Sequence, residues 1–144
     1  MRLGTLLSFT TIYYLMILKE LIGREPVTID PESDLVRAAK LMKKEIVGSL
    51  LVVEGGEPKG IISERDIVYA IASDLPLTTK VREVMSTNLV TADAGTDVGE
   101  AAILMVGKGI RHLVVKEGSR VIGVVSLRDV ARSLGLIATD LTIW

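Results

Sequence analysis

Gly60-Ile-Ile-Ser-Glu-Arg-Asp66 returns later in the chain as Gly123-Val-Val-Ser-Leu-Arg-Asp129, and the offset of 63 residues holds without a gap over most of the sequence. The same offset lays Val27 on Val90, Thr28 on Thr91, Asp30 on Asp93 and Asp34 on Asp97. It also lays Ala38-Ala39 on Ala101-Ala102, Leu41-Met42 on Leu104-Met105, and Glu54-Gly55 on Glu117-Gly118. Copies of this size cannot each bury a full core, so the two halves are expected to pack on one another. A cleft between them is the first place to expect a ligand.

A chain of 144 residues makes one compact domain or two half-domains sharing a core. With 17 Lys+Arg against 18 Asp+Glu, nothing pulls the molecule toward nucleic acid or an anionic membrane. Aromatic residues are 3%, too few for a base-stacking platform. Cysteine is absent, which excludes disulfides, thiolate metal sites and a cysteine nucleophile. A single histidine, His112, leaves little basis for a His-rich metal site or a catalytic triad, and it reads as a packed or hydrogen-bonded strand residue. The hydrophobic fraction of 49% and mean hydropathy of +0.45 are high for so small a chain. Some of that apolar surface is expected in a subunit interface, so a homodimer is anticipated.

The stretch from Leu3 to Leu18 runs for sixteen residues without a charge, short of the roughly 20 needed to span a bilayer. Only Arg2 precedes it and no small-residue cleavage site follows, so a signal peptide fits poorly. It reads as a strand or helix that covers an apolar face of the domain or of a partner subunit, with Met16 as an alternative start. The expected division is an apolar leader at 1–16, repeat units at 17–73 and 80–136, a linker at 74–79 containing Pro76, and a tail at 137–144.

Each repeat reads as β-α-β-β-α. A short extended piece (26–29; 89–92) leads to a helix capped by Ser33 or Thr96, with apolar residues at helical spacing: Leu35, Ala38, Ala39, Met42 and Ile46, then Val98, Ala101, Ala102 and Met105. A β-rich run (49–53; 112–115) turns at Glu54-Gly-Gly-Glu57 or Glu117-Gly-Ser-Arg120 into a strand ending at Ser63 or Ser126. That serine starts the last helix, and Gly135 stops the second copy. The expected class is α/β (α+β), with helices covering the sheets and a pseudo-twofold axis relating the units.

The strand-to-helix junction carries the candidate chemistry. Glycine lets the chain pass close to a ligand or a neighbouring backbone. Serine caps a helix whose first turn offers unpaired N–H groups and a positive dipole end, favourable to phosphate. Arginine supplies a fork of donors for phosphate oxygens, and an aspartate three residues after the serine can accept bonds from a vicinal diol. Ser63, Arg65 and Asp66, and again Ser126, Arg128 and Asp129, thus describe a nucleotide grip. The same Ser-x-x-Asp is also a close variant of the capping box, which needs no ligand. Lys40, Lys43 and Lys44 read as a solvated helix face.

Two β-α-β-β-α units ending in Gly-h-h-Ser-x-x-Asp (h aliphatic), with Ile110-Arg-His-Leu-Val-Val115 ahead of the second hairpin, resemble a tandem pair of CBS domains (a Bateman module) over residues 17–136. The resemblance implies a stand-alone regulatory pair, not an enzyme, that needs no cofactor and binds AMP, ADP or ATP, sometimes S-adenosylmethionine, in composite clefts. It implies that Ser126, Arg128 and Asp129 work with Thr28, Val47 and Gly48, and that Ser63, Arg65 and Asp66 work with Thr91, Ile110 and Arg111. It also implies a cytoplasmic homodimer acting on an unidentified protein effector, without nucleic acid or membrane.

The two copies depart from each other at the grip. Arg111 stands where the first repeat has Gly48, positioned to crowd the adenine edge or to contact phosphate, and Arg132 stands where it has Tyr69. The Asp129 side is therefore expected to be the better phosphate binder. The competing readings are a scaffold that keeps the fold without binding nucleotide, and an S-adenosylmethionine-binding regulator.

Overall fold

The computed structural model describes residues 16–135; the leader ahead of Met16 and the tail beyond Gly135 lie outside the described residues. Residues 26–89 form one compact unit, and residues 16–25 together with 90–135 form the other. Both are mixed α and β, as the repeat reading requires.

In the first unit, strand β1 (Thr28–Ile29) leads to helix α1 (Leu35–Glu45), then β2 (Ser49–Glu54), β3 (Glu57–Ser63), helix α2 (Glu64–Ala72) and the short helix α3 (Val81–Val84). The sheet order is β1-β2-β3, with β1 parallel and β3 antiparallel to β2. The second unit has a 3₁₀ turn at Leu18–Leu21, β4 (Thr91–Asp93), α4 (Val98–Lys108), β5 (His112–Glu117), β6 (Arg120–Ser126) and α5 (Leu127–Ser133), in the order β4-β5-β6.

The apolar spacing places the cores as expected except at Ala39 and Ile46, which are exposed; Ile46 ends α1 in a left-handed turn and so leaves its buried face. Leu35, Ala38 and Met42 of α1 bury against Leu50, Val52 and Ile62, and Val98, Ala101 and Met105 of α4 bury against Leu113, Val115 and Val125. The caps differ from expectation by one residue. Asp34, not Ser33, is the N-cap of α1 and accepts the Arg37 N–H at 2.8 Å. Asp97, not Thr96, caps α4 and accepts the N–H groups of Gly99 and Glu100 at 2.8 and 3.2 Å. A carboxylate there satisfies orphan donors and also meets the positive helix end, an advantage that a hydroxyl lacks.

Both hairpins turn where the glycines stand. Gly55 and Gly56 both have positive φ, as a type I′ turn requires, whereas in the second hairpin Gly118 (φ 63) alone does, as in type II′. Each hairpin has an irregularity at the same place, after Val52 and after Val115, and Pro58 sits beside the first on an edge strand.

The compact units do not follow the repeat boundary. Leu18, near the start of the first repeat, is fully buried in the core of the second sheet. Its N–H donates to Thr96 O at 2.9 Å, and Val98 N–H donates to Met16 O at 2.9 Å. Val81, its equivalent 63 residues on, is fully buried in the core of the first sheet, where its N–H donates to Ser33 O at 2.7 Å and Leu35 N–H donates to Thr79 O at 3.1 Å. The two arms thus trade places between repeats. Ion pairs fasten the second arm: Lys80 to Glu32 at 2.6 Å, and Arg82 to Glu32 at 2.8 Å and to Glu54 at 2.6 Å.

Candidate functional site

Each unit brings its candidate residues to one end of its sheet. Ser63 closes β3 and caps α2, and it pairs across the sheet with Ser49 at the start of β2. Just ahead of β2, Gly48 O accepts the Glu64 N–H at 3.0 Å. In the second unit Ser126 pairs with His112, and Arg111 O accepts the Leu127 N–H at 2.8 Å. Thr28 and Thr91 are exposed on the neighbouring parallel strands, opposite Leu51 and Val114.

Val47 and Ile110 are fixed by the way the long helices end. Val47 N–H donates to Met42 O at 3.1 Å and Ile110 N–H donates to Met105 O at 3.0 Å, closing a left-handed termination in which Ile46 (φ 56) and Gly109 (φ 64) turn the chain. Both residues are half-buried against their cores.

The capping box forms in both copies. Asp66 Oδ2 accepts from Ser63 N at 2.8 Å and from Ser63 Oγ at 3.0 Å, while Asp66 N donates to Ser63 Oγ at 3.3 Å. Asp129 Oδ2 accepts from Ser126 N at 2.9 Å, and Asp129 N donates to Ser126 Oγ at 3.0 Å. These bonds hold each carboxylate in one rotamer through Oδ2 and orient the serine hydroxyl. The box therefore serves the fold, and the same geometry presents a fixed carboxylate beside an arginine at a helix start.

The arginines differ. The Arg65 guanidinium lies over the Tyr69 ring, 5.6 Å from its centroid, an i,i+4 contact on an exposed helix face. The equivalent pair in the second unit, Arg128 and Arg132, is two exposed cations, and Arg111 is a third exposed cation in that unit.

The sequence reading passed over Glu64. Its carboxylate lies against Gly48, such that a Cβ at that glycine would come 3.1 Å from Glu64 Oε1. The equivalent positions are Arg111 and Leu127. The signal was present in the offset alignment as a paired exchange, Gly–Glu for Arg–Leu.

The motif glycines face the arms. A Cβ at Gly60 would meet Ser86 O at 2.7 Å and Met85 Sδ at 2.8 Å, and one at Gly123 would meet Ile22 Cδ1 at 2.8 Å. Of the two roles expected for glycine there, close approach of a neighbouring segment is the one these contacts display.

An open groove of about 590 Å³ lies along α1 and α2, lined by Met42, Ile46, Val47, Gly48, Glu64 and Val68 among others. Its volume is in the range of small-molecule sites. It takes in Val47 and Gly48 but not Thr28, Ser63, Arg65 or Asp66. Among the described residues no group of three or more His, Cys, Asp or Glu could hold a metal ion. No helix among them is long and apolar enough to cross a membrane.

Comparison with known proteins gives a consistent result. The CBS domain family description matches residues 18–73 and 81–136. An uncharacterised protein of Methanopyrus kandleri is 36% identical over 115 residues, which span 77% of this chain and 59% of that one. The CBS domain-containing protein YhcV of Bacillus subtilis is 35% identical over 114 residues, 78% of this chain and 81% of YhcV. Among solved structures, a CBS domain protein of Pyrobaculum aerophilum complexed with AMP superposes with a TM-score of 0.71 at 27% identity, covering 89% of this chain and 95% of its own. The CBS domain pair of the protein MJ0100, in complex with 5′-methylthioadenosine and S-adenosyl-L-methionine, gives a TM-score of 0.74 at 28% identity, covering 84% of this chain and 97% of its own.

Proposed function

The chain belongs to the CBS domain family, and from that footing we propose that it is a regulatory adenine-nucleotide sensor that binds without catalysing a reaction. AMP is the first ligand to expect, with ADP and ATP next. The observation that carries this reading is the pair of Ser-x-Arg-Asp grips, each with its carboxylate held in place by a capping box. The AMP complex of the Pyrobaculum protein supports the ligand class.

In this reading Asp66 and Asp129 take the ribose hydroxyls, and Ser63, Arg65, Ser126 and Arg128 lie near phosphate. Thr28, Val47 and Gly48, with Thr91, Ile110 and Arg111, border the adenine. The Asp129 grip, with Arg128 and Arg132, is the stronger phosphate binder. A bound nucleotide biases only states that it binds unequally, so a protein effector or a second conformation completes the function. We place the sensor in the cytoplasm as a homodimer; the hexameric state of a CBS-CP12 protein of similar structure supports self-assembly.

A second reading rests on the first unit, where Glu64 and Asp66 flank a single arginine that lies over Tyr69. An adenosine with a cationic 5′ substituent, as in S-adenosylmethionine, suits that charge better than a phosphate does.

The test is thermal unfolding against AMP, ADP, ATP, S-adenosylmethionine and GMP. A ligand at about 100 times its dissociation constant adds roughly 2.7 kcal/mol of stability. Asp129→Ala should weaken AMP binding by roughly 1–3 kcal/mol through lost ribose bonds. Arg128→Ala should weaken AMP more than adenosine. A flat response to the whole panel would leave the scaffold reading in possession.

A further inference from the structure

On α2 the residue one turn after Arg65 is Tyr69, and the Arg65 guanidinium rests on its ring, 5.6 Å from the centroid. Tyr69 is 60% exposed, so it adds little to the core. The repeat says the same: the equivalent residue of α5 is Arg132, and that helix forms without an aromatic there. The carboxylates on either side of Arg65 do not compete for it. Residues one position apart on a helix face different ways; Glu64 lies against Gly48, and Asp66 is held by Ser63 N and Oγ.

Position along the helix decides what the ring contact does. Ser63 caps the start of α2, and Arg65 is the second residue of the helix. Long side chains on a helix lean toward its N-terminus, which would carry this guanidinium toward Ser63 and any phosphate beside it. Tyr69 stands about 6 Å farther along the axis than Arg65 and about 9 Å farther than Ser63, at about 1.5 Å per residue. A guanidinium engaged on that ring must leave it to take a pair of phosphate oxygens at Ser63. An exposed contact of this kind holds its cation by about twofold to fivefold.

We propose that Tyr69 sets the 5′ preference of the first grip by retaining Arg65 and so withholding it from phosphate. This role presupposes the nucleotide reading above and adds a cause to it: the ring, and not only the flanking carboxylates, makes this grip the weaker one for a 5′ phosphate. Tyr69 is a positioning residue, acting through Arg65.

Calorimetric titration of the full chain with AMP and with adenosine tests this, in an Asp129→Ala background that silences the other grip. Tyr69→Leu should tighten AMP binding about twofold to fivefold and leave adenosine binding unchanged. Tyr69→Phe keeps a ring and should keep the AMP affinity, and Arg65→Ala should remove the gain from Tyr69→Leu. AMP affinity that is unchanged or weakened by Tyr69→Leu overturns the proposal, as does an equal gain for AMP and adenosine; the nucleotide reading survives both results. Binding by the parent chain that vanishes with Asp129→Ala alone also overturns it, because the first grip then takes no nucleotide. Failure of both ligands to bind the parent chain overturns the nucleotide reading and the role of Tyr69 with it.

Discussion

Replacing Gly60 by alanine should be markedly more destabilising than the same change at Gly123, although the two occupy equivalent places in the repeat. At Gly60 the new methyl would lie 2.7 Å from Ser86 O. That oxygen accepts the Ile61 N–H at 2.9 Å, and Ser86 N–H returns a bond to Ile61 O at 2.9 Å. The obstacle is main chain, so relief requires moving the arm. Overpacking of this kind costs about 1–3 kcal/mol, and opening the bridge loses two bonds worth about 1 kcal/mol each. Alanine recovers about 0.5–1 kcal/mol of chain entropy, which leaves a net loss of roughly 2–4.5 kcal/mol. At Gly123 the methyl meets only the side chain of Ile22, at Cδ1 (2.8 Å), Cγ2 (2.9 Å) and Cγ1 (3.1 Å), so a stiff β-branched side chain must give but no main chain. The entropy gain then offsets part of the overpacking cost, and the net loss is about 0–2.5 kcal/mol. Urea unfolding at unchanged slope gives both numbers. A cycle with Ile22→Ala should remove the residual penalty of Gly123→Ala, and Met85→Ala should leave the Gly60→Ala penalty largely in place. Equal losses at the two sites, or a neutral Gly60→Ala, would refute the close-approach account of the motif glycine.

Ile46 holds a left-handed conformation (φ 56) with 91% of its surface exposed, and Gly109 stands at the equivalent position. Ile46→Gly should therefore stabilise the first unit by about 1 kcal/mol in thermal unfolding, and a loss of stability would show that Ile46 is packed against a partner in solution. Asp34→Ala and Asp97→Ala should each cost about 1 kcal/mol of stability through the lost caps, with Ser33→Ala and Thr96→Ala costing less; the reverse ranking would contradict the observed caps. The Glu32 carboxyl is held below the ordinary carboxylate range, first by the hydrogen bond from Lys80 and then by that from Arg82. Its contribution is present above the unfolded-state pKa and is lost as pH falls through the lower folded value. Glu32→Gln should accordingly flatten the acid limb of stability as pH falls below the ordinary glutamate range, and an unchanged limb would discount the arm's ion pairs.

Much of the fold was legible because a gap-free repeat lets each copy check the other. Leu35, Ala38 and Met42 predict a buried helix face once, and Val98, Ala101 and Met105 repeat the statement. The glycines at 55 and 118 mark turns in both hairpins. The caps were misplaced because Ser33-Asp34 and Thr96-Asp97 each offer two good capping residues in succession. Propensity does not separate them; the backbone does, by continuing extended through Asp34 and Asp97. At the strand-to-helix junction the capping box was legible in Ser-x-x-Asp and forms in both copies, while the approach of Glu64 to Gly48 became visible only with distances.

The exchange of arms marks where a repeat stops being informative. Leu18 and Val81 are both apolar ahead of an extended segment, and each is fully buried in one of the two cores. An offset alignment says that the two arms are equivalent, and equivalence is satisfied whether each stays with its own copy or both cross over. What decides is the chain path. Val81 is tied by backbone bonds to the loop ahead of α1, and Leu18 to the loop ahead of α4. Gly60 and Gly123 let the two arms pass close to the sheets they cover. Symmetry therefore extends to the scaffold and not to the chemistry set upon it. Gly48, Glu64 and Tyr69 in one copy correspond to Arg111, Leu127 and Arg132 in the other, a gain of two positive charges and the loss of one negative charge between equivalent positions. On the proposed reading, two grips with that difference in charge would select different 5′ groups, and a duplicated fold would then report on two ligands where an exact duplicate would report on one.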